Sequence, residues 1–408
     1  MASNPLPEQT LPEQTLPEEA LPNGARANAT RAGDTRAGGA PSDEVLGIED
    51  LHVTVHDGAV TALRGVSLAV HAGEIVGLVG ESGSGKTLTC RAALGVLPPG
   101  VDAVKGRITF GGEDVTSLSR RGWERLHGSR IGAVFQDPAS YLNPNLTIGS
   151  QVTEVLRVKR GLSRGQARQR AVELLTAVGL HQPGRVLQQI PAELSGGMLQ
   201  RVMIAIAISC DPRLLIADEA TTALDVTIQA EIIELVKGLR DSTGLAVLFV
   251  SHDLAVIREL CDRVIVFYAG EIVEAGPVGE IIERSRHPYT QALLRVASVG
   301  DFTRRELAVI PGQPPPVGAR VSGCRFAGRC PAVIDACQTA DVPLTRLSAA
   351  HEAQAHEAQA HEAQTHEAQA HEAQAHEAQT HEARCVRVND PGLAAASAAV
   401  AAPELASR

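Results

Sequence analysis

The chain has 408 residues, enough for a large core with appendages, and it carries a formal net charge of −10 with only 2% aromatic residues. An acidic, aromatic-poor chain lacks both the basic footprint and the stacking surfaces of a nucleic-acid binder, so no nucleic-acid partner is expected. No stretch reaches the ~20 apolar residues of a membrane span, and the start MASNPLPEQT has neither a basic nor an apolar signal region. The expectation is a cytoplasmic chain that meets a membrane only through a partner.

Residues 1–43 carry LPEQT twice, then LPEEA, LPNGA and TRAGDTRAGGA. Proline at every fifth position removes helix hydrogen bonds and little is apolar enough to bury, which predicts a disordered low-complexity tail. From Val45 the pattern changes. Leu51, Val53 and Val55 alternate, Gly58 allows a turn and residues 60–70 return, the signature of an antiparallel β subdomain leading into an α/β core. Ile75–Val79 is a buried apolar strand; it runs into Gly80-Glu81-Ser82-Gly83-Ser84-Gly85-Lys86-Thr87, and Leu88–Leu94 continues as a helix until Gly95 and Pro98. Strand, glycine loop and helix in this order make a phosphate cradle. The glycines let backbone N–H groups turn inward, Lys86 reaches the β- and γ-phosphates, and Thr87 offers its hydroxyl to Mg²⁺.

Residues 106–116 continue in strand-and-turn style, and residues 131–135 form an apolar strand ending at Gln136. Helical spacing dominates 163–179 and 199–209. Leu214–Ala217 is a further buried strand that ends in Asp218-Glu219. Adjacent acids there are costly unless used: Asp218 to hold Mg²⁺, Glu219 to polarise the water attacking a γ-phosphate. Ala246–Val250 ends in Ser251-His252-Asp253. Carboxyl ends of parallel strands share one edge, so Lys86, Gln136, Asp218, Glu219 and His252 are expected around one phosphate. Leu194-Ser195-Gly196-Gly197-Met198-Leu199-Gln200, immediately before a helix, reads either as an N-cap serine with a flexible glycine lead or as a second phosphate-binding helix start. One nucleotide hardly needs two cradles from one chain, so the second would serve a nucleotide held by another subunit.

Together these stretches resemble the ATP-binding cassette ATPases: Walker A, a glutamine after a strand, the signature LSGGMLQ, Walker B with its glutamate, an Ala223-Leu224-Asp225 D-loop and a switch histidine, in that order. Within them the chain resembles the ATPase subunits of dipeptide, oligopeptide and nickel importers, on GESGSGKT, Phe135-Gln136-Asp137-Pro138 with Leu142-Asn143-Pro144, ELSGGMLQR, His287-Pro288-Tyr289-Thr290, and the closing Cys324-Arg325-Phe326 and Arg329-Cys330-Pro331. The resemblance implies an α/β P-loop NTPase fold: a RecA-like parallel-sheet core, an antiparallel β subdomain, a helical signature subdomain and a small cysteine-containing C-terminal extension. It divides the chain into an ATPase domain at 44–285, the extension at 286–346, a repeat spacer at 347–383 and a last-cysteine tail at 384–408.

It further implies a head-to-tail dimer closing on two ATP molecules. Residues 80–87 bind the nucleotide. Thr87, Asp218 and Gln136 hold Mg²⁺, Glu219 is the base, His252 senses the γ-phosphate, and Ser195, Gly196, Gly197 and Asp225 face the partner's nucleotide. The implied partners are a second ATPase subunit, making a heterodimer, two membrane permease subunits received by residues 136–156, and an extracytoplasmic solute-binding protein. The implied site is the cytoplasmic face of the membrane, and the implied cargo is peptide, with nickel or another small solute as the alternative. A non-transport cassette acting on DNA or ribosomes would bring an inserted coiled coil, a second cassette or a basic surface, and the sequence has none.

Three features depart from the family pattern. Where an aromatic residue often stacks on adenine the chain offers Val55, His56 and Asp57; Ala220 replaces the proline expected after the glutamate; and the C-terminal part is expanded. There Cys324, Cys330, Cys337 and Cys385 suffice for an iron–sulfur cluster or a zinc site, with inert thiols or disulfides as the alternatives, whereas Cys90, Cys210 and Cys261 read as core residues. Between the third and fourth of the late cysteines, pentads start at His351, His356, His361, His366, His371, His376 and His381. A five-residue step rotates about 140° on a helix, so the histidines spiral and the repeat reads as a polar spacer, not a metal tape.

Overall fold

The computed structural model describes residues 43–56, 58–220, 225–297, 309–339, 341–347 and 380–388. The tail at 1–42, most of the pentad repeat and the chain beyond 388 lie outside them.

The strands follow in chain order as β1 Glu44–Val55, β2 Val60–His71, β3 Ile75–Val79, β4 Val101–Phe110, β5 Glu113–Asp114, β6 Ile131–Val134, β7 Leu214–Asp218, β8 Ala246–Val250, β9 Arg263–Tyr268, β10 Glu271–Pro277, β11 Thr345–Arg346 and β12 Glu382–Ala383. β2, β1, β4 and β5 form an antiparallel sheet in that order. The second sheet has the order β11-β12-β10-β9-β3-β8-β7-β6; the run from β9 to β6 is parallel and the β10, β11 and β12 edge is antiparallel. The fold is α/β. β3, β7 and β8 are buried at every position because helices or the first sheet cover both faces, which is why they read as unbroken apolar runs.

Helices Ile148–Arg160, Arg164–Ala177 and Gly196–Ile208 pack together through Val152, Leu156, Ala171, Leu175 and Val202, each wholly buried. Ser163 and Gln166 close a capping box on the second, worth about 1 kcal/mol. The third helix begins at Gly196, so the glycines expected as a flexible lead form its first turn instead; Ser195 permits this by capping it.

The extension is tied to the core by rings. Tyr268 of β9, Tyr289 and Phe326 lie with centroids 4.6, 5.3 and 5.4 Å apart, each pair adding about 1 kcal/mol beyond its area. Glu382 and Ala383, assigned to the spacer from their repeat pattern, pair with both β10 and β11.

Candidate functional site

β3 ends at Val79, and the following loop passes through two points only glycine allows. Gly80 has φ +142°, and a Cβ would lie 2.2 Å from the Phe267 carbonyl oxygen; Gly85 has φ +115°, and a Cβ would lie 2.6 Å from Leu63. The helix Lys86–Ala93 starts at once, with no side chain capping its N–H groups, so they and the positive end of its dipole stay available to an anion. Lys86 is 6% exposed and donates to the carbonyls of Gly80 (2.8 Å) and Glu81 (3.0 Å). Burial lowers its pKa, against the charges of Glu219 and Asp218. Among the described residues no carboxylate forms an ion pair with this ammonium, which is the deficit a phosphate makes good.

Thr87 Oγ1 donates to Asp218 Oδ1 at 3.1 Å, setting a hydroxyl beside a carboxylate as a hard cation requires. Burial raises the pKa of Asp218, the Thr87 bond opposes it and the Glu219 charge adds to it. Glu219 follows with φ +52°, a left-handed backbone unusual for a side chain that is not glycine. Its N–H donates to Val250 O of β8 at 3.1 Å, and its Oε2 lies 4.0 Å from His252 Nδ1. The structure thus brings Lys86, Thr87, Asp218, Glu219 and His252 together at the carboxyl edge of the parallel strands. Gln136 follows β6 on the same edge and is exposed; Phe135 beside it stacks on Tyr141 at 4.7 Å.

Ser195 and Asp225 each cap a helix. Ser195 Oγ accepts from the Met198 N–H at 3.3 Å, and Asp225 Oδ1 accepts from the Ile228 N–H at 2.9 Å. A Cβ on Gly197 would fall 2.7 Å from Ile228, so these two helix starts pack closely. Ser195 and Gly196 are exposed, and among the described residues no hydrogen bond joins them to the 80–87 loop of their own chain. Ala223 and Leu224 lie outside the described residues. Ala220 is buried, and nothing in its surroundings explains the departure from proline.

The extension reaches the phosphate loop, a contact that sequence reasoning missed. Arg329 grips Glu81 with both terminal nitrogens (2.8 and 2.9 Å), Tyr289 Oη accepts from the Glu81 N–H at 2.8 Å, and Arg329 also donates to Tyr268 Oη at 3.3 Å. The Glu81 bond and the Tyr268 contact raise the pKa of Arg329 against the effect of burial.

All seven cysteines are free thiols, which removes the disulfide alternative, and Cys90, Cys210 and Cys261 are buried in the core as expected. Cys324, Cys330, Cys337 and Cys385 line one narrow cleft of about 10 Å³. Burial pushes the thiols of Cys324 and Cys385 up to about 11 and about 12. Among the described residues no three of His, Cys, Asp or Glu stand close enough to hold one metal ion. That observation supports neither a zinc ion nor a cluster at these cysteines.

Comparison with known proteins gives two family matches, "ABC transporter" over residues 63–222 and "Oligopeptide/dipeptide transporter, C-terminal region" over residues 273–337. The oligopeptide transport ATP-binding protein of Mycobacterium tuberculosis is 46% identical over 313 residues, 76% of this chain and 51% of that protein, so the chain spans about half the length of that relative. A probable D,D-dipeptide transport ATP-binding protein of Escherichia coli is 44% identical over 297 residues, 72% of this chain and 90% of that protein. A dipeptide transport ATP-binding protein of Bacillus subtilis is 43% identical, covering 71% and 87%. Among solved structures, a dimeric ATP-binding cassette in a post-hydrolysis state with ADP and phosphate aligns with a TM-score of 0.52 at 30% identity, covering 57% of this chain and 98% of that one. Among the described residues no helix is long and apolar enough to cross a membrane.

Proposed function

The chain belongs to the family of ATP-binding subunits of oligopeptide and dipeptide ABC transporters, and from that membership we propose that it hydrolyses ATP to drive peptide import. The observation that supports this most directly is the gathering of Lys86, Thr87, Asp218, Glu219 and His252 at one sheet edge around a loop that leaves room for phosphate. Lys86 and the N–H groups of residues 80–87 bind the phosphates. Thr87 and Asp218, with Gln136, would hold Mg²⁺, which supplies neutralising charge on the phosphate oxygens when bound. Glu219 accepts a proton from the water that attacks the γ-phosphorus; the bond to the β–γ bridging oxygen breaks, and that oxygen leaves with ADP. His252 hydrogen-bonds the γ-phosphate beside Glu219.

Ser195, Gly196, Gly197 and Asp225 act on the nucleotide of a facing subunit. Supporting this are the exposure of Ser195 and Gly196 and the 84% exposure of Val226 beside Asp225, an apolar surface suited to a partner. The facing subunit is a second ATPase chain, making a heterodimer. The pair docks on two membrane permeases at the cytoplasmic face, through the segment in which Tyr141 (52%) and Leu146 (41%) stand exposed, and an extracytoplasmic solute-binding protein delivers the cargo. Alone, the chain binds ATP but turns it over poorly.

On their number and their shared cleft, Cys324, Cys330, Cys337 and Cys385 would hold a 4Fe–4S cluster, with a zinc ion as the alternative. Brown protein with labile iron supports it, and colourless protein with four titratable thiols ends it. For the ATPase itself, Glu219→Gln should keep ATP binding and lose about 10²- to 10⁴-fold in hydrolysis; near-normal turnover removes Glu219 as the base. In the co-purified complex, peptide-loaded binding protein should stimulate hydrolysis, and stimulation by a nickel-loaded form alone would overturn the peptide cargo.

A further inference from the structure

The reading of residues 80–87 as a phosphate loop leaves the nucleotide's base without a seat. Val55 closes β1 with an aliphatic side chain, and His56 stands exposed in the next turn at φ +55°. A cavity of about 200 Å³ nevertheless opens directly beside the loop. Glu81, Ser82, Gly83 and Ser84 form one side, Thr61 and Ala62 of β2 another, and the third comes from the extension as Pro314–Gly318.

The extension is built to lie there. Gly318 has φ +84°, and a Cβ would fall 2.4 Å from Val60 Cγ1, so only glycine lets this segment rest on β2. Three consecutive prolines give it a stiff backbone without N–H donors, and Val317, 59% exposed, adds an apolar face. This wall can take the face of a flat ring without competing for its hydrogen bonds.

Arg325 lines the same cavity and is 8% exposed. Its Nη1 donates to Ala319 O at 3.1 Å, which fixes the side chain, but its Nε has no partner. Arg64, whose charge Arg325 feels, also has a buried Nε without a partner, and among the described residues neither guanidinium forms an ion pair. Burial followed by the Arg64 charge lowers the pKa of Arg325, with Glu271 opposing. A buried donor left unmade is costly, and an acceptor entering the cavity beside Arg325 would relieve it.

We propose that this cavity takes the base and ribose of the nucleotide whose phosphates the 80–87 loop holds, with Pro314–Gly318 covering the ring and Arg325 donating to a ring nitrogen or ribose oxygen. The C-terminal extension then acts as a base-recognition element and supplies what the missing aromatic at the end of β1 does not. This rests on the ATP-binding reading above.

The test uses the full chain and compares binding of ATP with binding of inorganic tripolyphosphate, which has the phosphates and no base. Arg325→Ala should weaken ATP about tenfold, the worth of one charge-assisted hydrogen bond, and leave tripolyphosphate unchanged. Val317→Asp, at an exposed position, should do the same if the arginine variant fails to fold. Photolabelling the unmodified chain with 8-azido-ATP should mark the peptide containing residues 314–318. Equal losses for both ligands, no loss for either, or label confined to residues 44–57 would overturn the proposal while leaving the ATPase reading intact. A wild-type chain that binds neither ligand sinks both.

Discussion

Arg329→Ala tests how tightly the extension holds the phosphate loop. The Arg329 side chain is 6% exposed; besides the two bonds to Glu81 and the one to Tyr268, it donates to Pro311 O at 2.8 Å and Ile310 O at 3.0 Å. Truncation removes all of these and leaves the Glu81 carboxylate, only 27% exposed, without its counter-charge. Removing one partner of a buried pair costs about 3–5 kcal/mol, and the partial exposure of Glu81 puts the expectation near the lower figure, about 3 kcal/mol. Urea unfolding monitored through the native-state signal should show a lower midpoint at unchanged slope. Arg329→Lys keeps the charge but not the planar fork, so it should recover only part of the loss. In a double-mutant cycle with Glu81→Ala the losses should be clearly non-additive. A loss below about 1 kcal/mol for Arg329→Ala, or strict additivity with Glu81→Ala, would mean that the fork is a surface contact of little weight.

The remaining tests are independent of that pair. Burial holds the pKa of His287, which is 1% exposed, down at about 4, below the ordinary 6.5. Between those values the unfolded chain binds more protons, so this contribution is complete above pH ~6.5 and falls away by roughly 2 kcal/mol on reaching pH 5; urea midpoints of His287→Gln should fall less with acid than those of the wild type, and parallel curves would refute this. Gly80→Ala should abolish nucleotide binding, because its Cβ meets the Phe267 carbonyl oxygen at 2.2 Å on a left-side backbone; binding within about twofold of wild type would show that the loop can shift. Deleting residues 351–375 should leave ATP hydrolysis unchanged, and loss of hydrolysis would assign the repeat a direct role.

The chemistry was legible wherever it sat at the end of an unbroken apolar run. β3, β7 and β8 are covered on both faces, so their composition announces them and their carboxyl ends mark Gly80, Asp218 and Ser251 as edge positions. What stayed hidden depends on distance along the chain or on elements too short to carry a period. Glu81 and Arg329 are 248 residues apart, and neither has a spacing that points to the other. β11 and β12 have two residues each, and the Glu-Ala of β12 is indistinguishable from the pentads before it. The four late cysteines could be counted, but the one cleft that Cys324, Cys330, Cys337 and Cys385 share could not be read from their spacing.

The pairing of β11 with β12 also bears on how the repeat can change. Thr345 faces Ala383 across the ladder, and the Leu347 N–H donates to His381 O at 2.9 Å, so residues 347 and 381, on either side of the repeat, lie one hydrogen bond apart. Its two ends are stapled independently of what lies between them. Doubling such an insert costs only about 0.6 kcal/mol in closure entropy, and a gain or loss of fifteen nucleotides keeps both the reading frame and the register of β12. The fold therefore does not count pentads: replication slippage can lengthen or shorten the repeat almost freely, and the same junction is a ready insertion point for a reporter.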